Sequence, residues 1–450
     1  MEARGYQQEA ISSWKDANNK GILEMATGTG KTITSLLAAR SFISEVKSSI
    51  TVIVVPFQHL VDQWERDVKF ILDSPTVKCM GARTSWNKKL KTMIQEHNLN
   101  LLDDFVIVTT YNTVLSKEFT DLLKMIVAPK MIIADECHYI TYNGFKDFPF
   151  YSFDALLGLS ATPDRWWDEE GTSFMKSMLG RVVYEYTLEQ AIQNKKLTPY
   201  KYFPHIVDFE EIEMEEYIKL TRRIIYHMND KDSDKEQVET LLRRRAMLIS
   251  KAENKIETFL NDFKDENLKQ ISHTLVYCAP GEIDKIVKKI SDLGVKVSKF
   301  NAEVNNKDRV TILEMFEKGY IQVLVAIKCL DEGVDVPATR KAYFLASTSN
   351  PREFVQRRGR ILRTSIGKKF AEIHDYIVLP IGMDADEFYS IASKEFPRFS
   401  EFNESALNSV DNKLDMHNIL ENYDMTHLMY KKPWDVYKDM KENFKSVNFE

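Results

Sequence analysis

Residues Ala26-Thr27-Gly28-Thr29-Gly30-Lys31-Thr32 have the makeup of a phosphate cradle. They follow the apolar run Ile22-Leu23-Glu24-Met25 and precede a helical pattern from Ile33 to Phe42. Glycine lets the backbone curl so that its N–H groups face phosphate oxygens. The N-terminus of the helix that follows adds partial positive charge. Lys31 is then expected at the β- and γ-phosphates and the Thr32 hydroxyl on Mg²⁺, with Thr27, Gly28, Thr29 and Gly30 forming the cradle. The strict form of such a loop has glycine where this chain has Met25, but the shorter Gly-x-Gly-Lys-Thr form is intact. Further along, Asp135-Glu136-Cys137-His138 closes the apolar run Met131-Ile132-Ile133-Ala134. A carboxylate at a strand end beside a phosphate loop suits Mg²⁺, held directly or through water, which makes Asp135 the metal candidate. Glu136 is the candidate base that polarises an attacking water. Near the other end, Arg360 and Arg363 lie three apart on a predicted helix and share a face.

These groups need elements to hold them. In the first part, Thr51–Val55, Phe105–Thr109 and Met131–Asp135 are β-branched runs with helical patterns between them. Such spacing predicts βαβ units and a parallel sheet, with ligands at the carboxyl ends of the strands. Thr198-Pro199 and Phe203-Pro204 read as a short linker. From about 210 to 265 apolar residues recur at helical spacing, as in Met214, Tyr217, Ile218, Thr221, Ile224 and Ile225. A polar turn is expected from Asn229 to Asp234. Thr274–Tyr277, Lys296–Phe300, Gln322–Ile327, Ala342–Leu345 and Ala371–Leu379 then predict a second α/β region. Beyond Pro380 the chain turns polar and helical.

The chain has 450 residues, enough for two or three domains, and a net charge of −6. It is no bulk polycation, so any nucleic acid must meet a local basic strip. Cysteines at 79, 137, 278 and 329 have no zinc or iron–sulfur spacing. Their scatter suits a reducing compartment. The start Met1-Glu2-Ala3-Arg4-Gly5 has no apolar signal segment, and no run is long enough to span a membrane. A cytoplasmic protein without membrane partners is expected.

The Gly-Thr-Gly-Lys-Thr and Asp-Glu-Cys-His motifs are followed by Ser160-Ala161-Thr162 and by Gln356-Arg357-Arg358-Gly359-Arg360-Ile361-Leu362-Arg363. This ordered set resembles superfamily 2 helicases over roughly residues 4 to 380. The resemblance implies two RecA-like parallel-sheet domains with ATP and Mg²⁺ in the cleft between them. It places domain 1 at 1–200, a helical insertion at 205–267, domain 2 at 268–382 and a helical C-terminal extension at 383–450. Arg4 and Tyr6-Gln7 resemble the family's adenine-recognition motif, and Gln7 can bond an adenine edge through both halves of its amide. Pro56-Phe57-Gln58-His59-Leu60-Val61-Asp62-Gln63-Trp64 and Thr109-Thr110-Tyr111-Asn112-Thr113 resemble motifs that touch the nucleic-acid backbone. Ser160-Ala161-Thr162 resembles the motif linking hydrolysis to strand binding. Arg360 and Arg363 match the family's arginine fingers, in a motif opened by Gln356. Asp331-Glu332-Gly333-Val334-Asp335 is similar to the fifth motif, where Gly333 and Asp335 would meet the nucleotide. Many relatives carry threonine where this chain has Ile327, and Lys328 can substitute only as a point charge.

The motif wording looks closest to XPB-type repair helicases and the motors of type I and III restriction enzymes. That implies a DNA helicase or double-stranded DNA translocase in repair, restriction or antiviral defence. An RNA helicase and an ATP-binding subunit that only binds nucleic acid stay open as alternatives. Glu253-Asn254-Lys255 superficially resembles half of a nuclease site but lies in a helical pattern, so cutting or targeting would come from partner proteins. Arg222-Arg223 and Arg243-Arg244-Arg245 are candidates for gripping a duplex backbone or for a solvated helix face. Trp434 and Tyr437 suggest a docking helix or core packing in the tail.

Overall fold

The computed structural model describes residues 2–165, 168–229, 235–301, 303–327, 336–346 and 350–435. The chain divides into two units, Met1–Lys196 and Leu197–Glu450. The first is built on seven strands: β1 (Lys20–Met25), β2 (Ile50–Val55), β3 (Thr76–Cys79), β4 (Phe105–Thr110), β5 (Lys130–Asp135), β6 (Ala155–Ser160) and β7 (Val182–Tyr186). Their order is β3-β4-β2-β5-β6-β1-β7, and every pairing is parallel. Parallel strands with both faces covered read as continuous apolar runs. Accordingly β2, β4 and β6 are buried at every residue. One consequence of the order decides the site: β6 lies between β1 and β5. The segments leaving these three strands, 26–32, 160–162 and 135–138, therefore emerge side by side.

The second unit holds six strands: β8 (Tyr200–Val207), β9 (Thr274–Tyr277), β10 (Val297–Phe300), β11 (Val323–Ala326), β12 (Lys341–Phe344) and β13 (Ala371–Val378). Their order is β10-β11-β9-β12-β13-β8, again all parallel. The two sheets form the α/β architecture with two parallel-sheet domains that the spacing implied.

The linker expected around Thr198-Pro199 and Phe203-Pro204 is instead this sheet's edge strand. Proline lacks a ladder donor but is tolerated on an edge, where one side of the strand needs no partner. The fully buried rings of Tyr200 and Tyr202 hold β8 in place. Its open edge is covered at Tyr202 by Asn408, which takes the Tyr202 N–H at 2.9 Å and donates to the Tyr202 carbonyl at 2.8 Å.

Helices Glu211–Asn229 and Lys235–Ser250 form the expected helical segment. They run antiparallel, with Ile249 near Tyr217, Arg245 on Thr221 and Leu241 near Ile224. The turn expected at 229–234 lies, apart from the helical end at Asn229, outside the described residues. A third helix, Glu253–Asp265, departs from the expected insertion. Its Ile256, Phe259, Leu260 and Phe263 share a core with Val276, Val323, Tyr343 and Tyr376 of the second sheet. Amphipathic spacing gave no sign of this, because it shows that a face is buried but not against what.

The C-terminal helix Ala385–Asn403 is as deeply set. Arg398, 3% exposed, bonds Asp375 of β13 at 2.8 Å and Glu395 of its own helix at 2.9 Å. Tyr202 also donates to Asp375, at 2.9 Å. Removing one member of such a buried network strands the others' charge, a loss of about 3–5 kcal/mol. The variant Arg398→Leu is expected to lower the unfolding midpoint of the second unit while leaving that of the first in place. Calorimetry that resolves both transitions checks this.

Candidate nucleotide site and nucleic-acid interface

The phosphate loop leaves β1 at Met25 and enters the helix Lys31–Val46. Gly28 and Gly30 both sit at φ 88°, the left-handed region that suits glycine. Thr29 Oγ1 donates to the Ala26 carbonyl at 2.7 Å, and Lys31 Nζ reaches back to the Met25 carbonyl at 3.1 Å. Thr27 Oγ1 is buried with no hydrogen-bond partner, a group with unused capacity inside the cradle.

The N-terminal segment clamps this loop. Tyr6 donates its hydroxyl to the Thr29 carbonyl at 2.7 Å. Gln7 Nε2 donates to Thr34 Oγ1 at 3.2 Å, and Thr34 in turn bonds the Gly30 carbonyl at 3.0 Å. Gln7 Oε1 accepts the Arg4 N–H at 3.0 Å. Both halves of the Gln7 amide are thus engaged within the protein, and the side chain is only 3% exposed. Within the protein Gln7 caps its helix and braces the loop, and its amide oxygen and nitrogen each keep one further hydrogen-bonding position. Tyr186, at the end of β7, stacks on Tyr6 with centroids 4.4 Å apart, a support the sequence did not signal.

At the end of β5, Asp135 Oδ2 accepts the indole N–H of Trp64 at 3.0 Å, and Oδ1 accepts the N–H of Glu136 at 3.1 Å. The Tyr111 hydroxyl holds the Asp135 carbonyl at 2.8 Å. Burial first, and then the neighbouring Glu136, push the Asp135 carboxyl up to about 6, while Lys31 pulls it down. Glu136 adopts φ 48°, ψ 56°, a strained conformation for a residue with a Cβ, and this turns the chain sharply out of the strand. His138 Nδ1 lies 3.4 Å from Glu136 Oε2 and 3.5 Å from Ser160 Oγ, and Ser160 Oγ accepts the Thr162 N–H at 3.1 Å. Contacts therefore run from Glu136 to the segment after β6.

The donor set can be tested against Mg²⁺. Among the described residues no group of three or more histidine, cysteine or acidic side chains could hold a metal ion. Mg²⁺ keeps several waters and takes one or two protein oxygens besides phosphate oxygens, so Thr32 and Asp135 fit it only together with a nucleotide.

Two segments singled out for nucleic acid meet. Pro56, Phe57 and Gln58 after β2, Thr110 at the end of β4, and Asn112 and Thr113 after it line one cavity of about 480 Å³. Gly81, Ser116 and Glu118 also line it, Glu118 paired with Arg83 at 3.0 Å; Arg83 and Trp86 come from the helix after β3. Neither stood out in the sequence, although Gly81 just before them marks the turn.

In the second unit the helix Pro351–Ile361 carries the arginine motif. Asn350 caps it by accepting the Arg352 N–H at 3.1 Å. Two of its arginines are structural. Arg357 lies over the Tyr277 ring at 5.1 Å, and Arg358 pairs with Glu401 at 2.6 Å while lying over Phe402. Gln356 and Arg360 are on the same helix, and Arg363 follows it. Gly333, Asp335 and Lys328 lie outside the described residues, as does Tyr437.

Residues 1–165 match the family described as the type III restriction enzyme res subunit, and residues 251–365 match the helicase conserved C-terminal domain. The chain is a superfamily 2 helicase. This helicase is 26% identical over 386 residues to the DNA 3'-5' translocase XPB2 of Sulfurisphaera tokodaii, covering 81% of this chain and 79% of that protein. It is 24% identical over 389 residues to a helicase-named protein of Sulfolobus islandicus filamentous virus, covering 84% of this chain but 64% of that one. Among solved structures, the type ISP restriction-modification enzyme LlaBIII bound to DNA shares the fold at a TM-score of 0.62 and 16% identity. That match covers 96% of this chain and 33% of LlaBIII. The Hef helicase domain of Pyrococcus furiosus does so at 0.53 and 16%, covering 84% and 95%. Among the described residues no helix of this helicase is long and apolar enough to cross a membrane.

One carboxylate beside the loop works against stability. Glu24 of β1 faces Glu185 of β7 across the pairing. Burial, then Glu185 and Asp164, raise its pKa to about 7. A raised carboxyl means that the unfolded chain ionises first, so burying Glu24 costs stability as pH climbs from about 4.5 to 7 and in full above that. Glu24→Gln is expected to stabilise the first unit by about 1–2 kcal/mol at pH 8 and not at pH 4. Denaturant melts at the two pH values read the difference.

Proposed function

We propose that the chain is the ATP-driven motor of a DNA helicase or double-stranded DNA translocase. One observation carries the reading: β6 between β1 and β5 gathers the phosphate loop, Asp135-Glu136 and Ser160–Thr162 at neighbouring strand ends, in the unit whose cavity unites the two backbone-contact segments.

ATP binds at residues 27–32, with Arg4 and the Tyr6-Gln7 brace at its base end. Lys31 offsets charge on the β- and γ-phosphates, and Thr32 and Asp135 hold Mg²⁺, which supplies further charge neutralisation when bound. Glu136 orients and polarises the attacking water. Arg360 and Arg363, in the motif that Gln356 opens, act on the γ-phosphate, and Gly333 and Asp335 meet the nucleotide. DNA favours the catalytic arrangement, and hydrolysis releases it, so turnover is coupled to stepping. A nuclease or targeting partner supplies cutting or site choice, in restriction, repair or antiviral defence.

The helical pair adds a second DNA contact in this reading. Arg222, Arg223, Arg243 and Arg244 are exposed, whereas Arg245 turns inward onto Thr221 and the Tyr217 ring. Reversing Arg243 and Arg244 to glutamate is expected to reduce the salt slope of DNA binding by about one per lost phosphate contact. An unchanged slope removes this part of the proposal.

ATPase rates with duplex DNA, single-stranded DNA and RNA in parallel test the main reading. DNA should stimulate strongly, and Glu136→Gln should cut the stimulated rate by about 10²–10⁴. Stimulation by RNA alone selects an RNA helicase instead. Absence of turnover with every nucleic acid selects a binding subunit.

A further inference from the structure

An α-helix runs out of internal donors for its last carbonyls, which must find partners elsewhere. At the end of the helix Pro351–Ile361 those partners are specific. The Leu362 carbonyl accepts the Thr198 N–H at 2.7 Å, and the Arg363 carbonyl accepts Thr198 Oγ1 at 3.3 Å. Lys368 supplies the rest. Its Nζ donates to the Arg363 carbonyl at 2.8 Å and to the Ile361 carbonyl, and lies 3.5 Å from the Pro337 carbonyl.

The chain is bent to allow this. Lys368 N–H closes a turn on the Ser365 carbonyl at 3.1 Å, with Gly367 at φ +75°, where a side chain would be strained. The neighbouring Lys341 is occupied by Glu266 at 2.5 Å and Glu372 at 3.0 Å, while burial first and then Arg340 draw the Lys368 ammonium down to about 7. The carbonyls Lys368 joins flank Arg360 and belong to Arg363 itself. Pro337 follows Asp335 by two positions in the sequence.

We propose that Lys368 is a positioning residue for ATP hydrolysis, its ammonium fixing the backbone from which Arg360 and Arg363 project and tying it to Pro337. The inference rests on the reading of these two arginines as groups that act on the γ-phosphate. An ammonium at a helix C-terminus is favoured by the dipole as well as by the bonds it donates. Loss of the tie lets the arginines drift, and misplacement by about 1 Å can cost about 10²-fold in rate. The nucleotide is gripped by residues 27–32, so its ground-state binding does not depend on Lys368.

The test uses the full chain, with duplex DNA and ATP. Lys368→Met is expected to lower kcat at least about tenfold while KM for ATP stays within about twofold, and Lys368→Arg, which keeps a cationic donor, is expected to recover most of the loss. The decisive measurement is the double variant Lys368→Met/Arg363→Ala. If Lys368 acts through Arg360 and Arg363, the fold-loss from Lys368→Met is clearly smaller in the Arg363→Ala background than in the wild type, the remainder being the part that runs through Arg360. Multiplicative losses overturn the proposal, as does wild-type kcat in Lys368→Met. Should Lys368→Met melt below the assay temperature, Lys368→Gln and Lys368→Arg carry the same comparison in the Arg363→Ala background. Wild-type turnover in both Arg360→Ala and Arg363→Ala is a separate result. It refutes the role given to the arginines, whatever Lys368 does.

Discussion

Parallel pairing of β6 with both β1 and β5 is the constraint on which the first unit's chemistry depends. Three segments far apart in sequence acquire a common address because their strands are neighbours and point the same way. No single side chain creates the site. What side chains do is hold its parts still: Tyr6 and Gln7 grip the loop, Trp64 holds one oxygen of Asp135, and Tyr111 holds its carbonyl. The polar bonds sit in a buried setting, where each is strong and each absence is costly.

The second unit uses its residues differently. Its arginine-rich helix looks uniformly suited to phosphate, yet Arg357 and Arg358 are consumed by Tyr277, Phe402 and Glu401. The helix Ala385–Asn403 is thus the floor on which the motif helix stands: Phe354 meets Phe402 edge-on, and Arg398 ties that floor to β13. Helix Ala385–Asn403 of the C-terminal extension belongs to the unit's core.

The legible parts of the sequence were those with local signatures. Gly28, Gly30, Lys31 and Thr32 combine backbone freedom with charge, and the β-branched runs of β2, β4 and β5 have little choice but to be buried strands. The illegible parts depend on distant partners. Trp64 lies 71 positions from the carboxylate it holds, and nothing within a turn of it hints at that. Pro199 and Pro204 looked like linker punctuation because proline is excluded from central strands, a rule that lapses at an edge. Helix Glu253–Asp265 showed its apolar face without showing which surface would cover it.

The Asn408 amide on β8 stands in for one peptide unit of a missing neighbour strand. An open edge is an invitation to templated growth by other chains. Here the invitation is withdrawn at its middle by a side chain, itself held by Asn412 at 3.3 Å. A foreign peptide could zip onto this margin only after prising Asn408 and Asn412 away. Resistance to fibril-like self-association at this end of the sheet therefore rests on two asparagines together with the Leu407 N–H, which occupies the Tyr200 carbonyl at 2.8 Å.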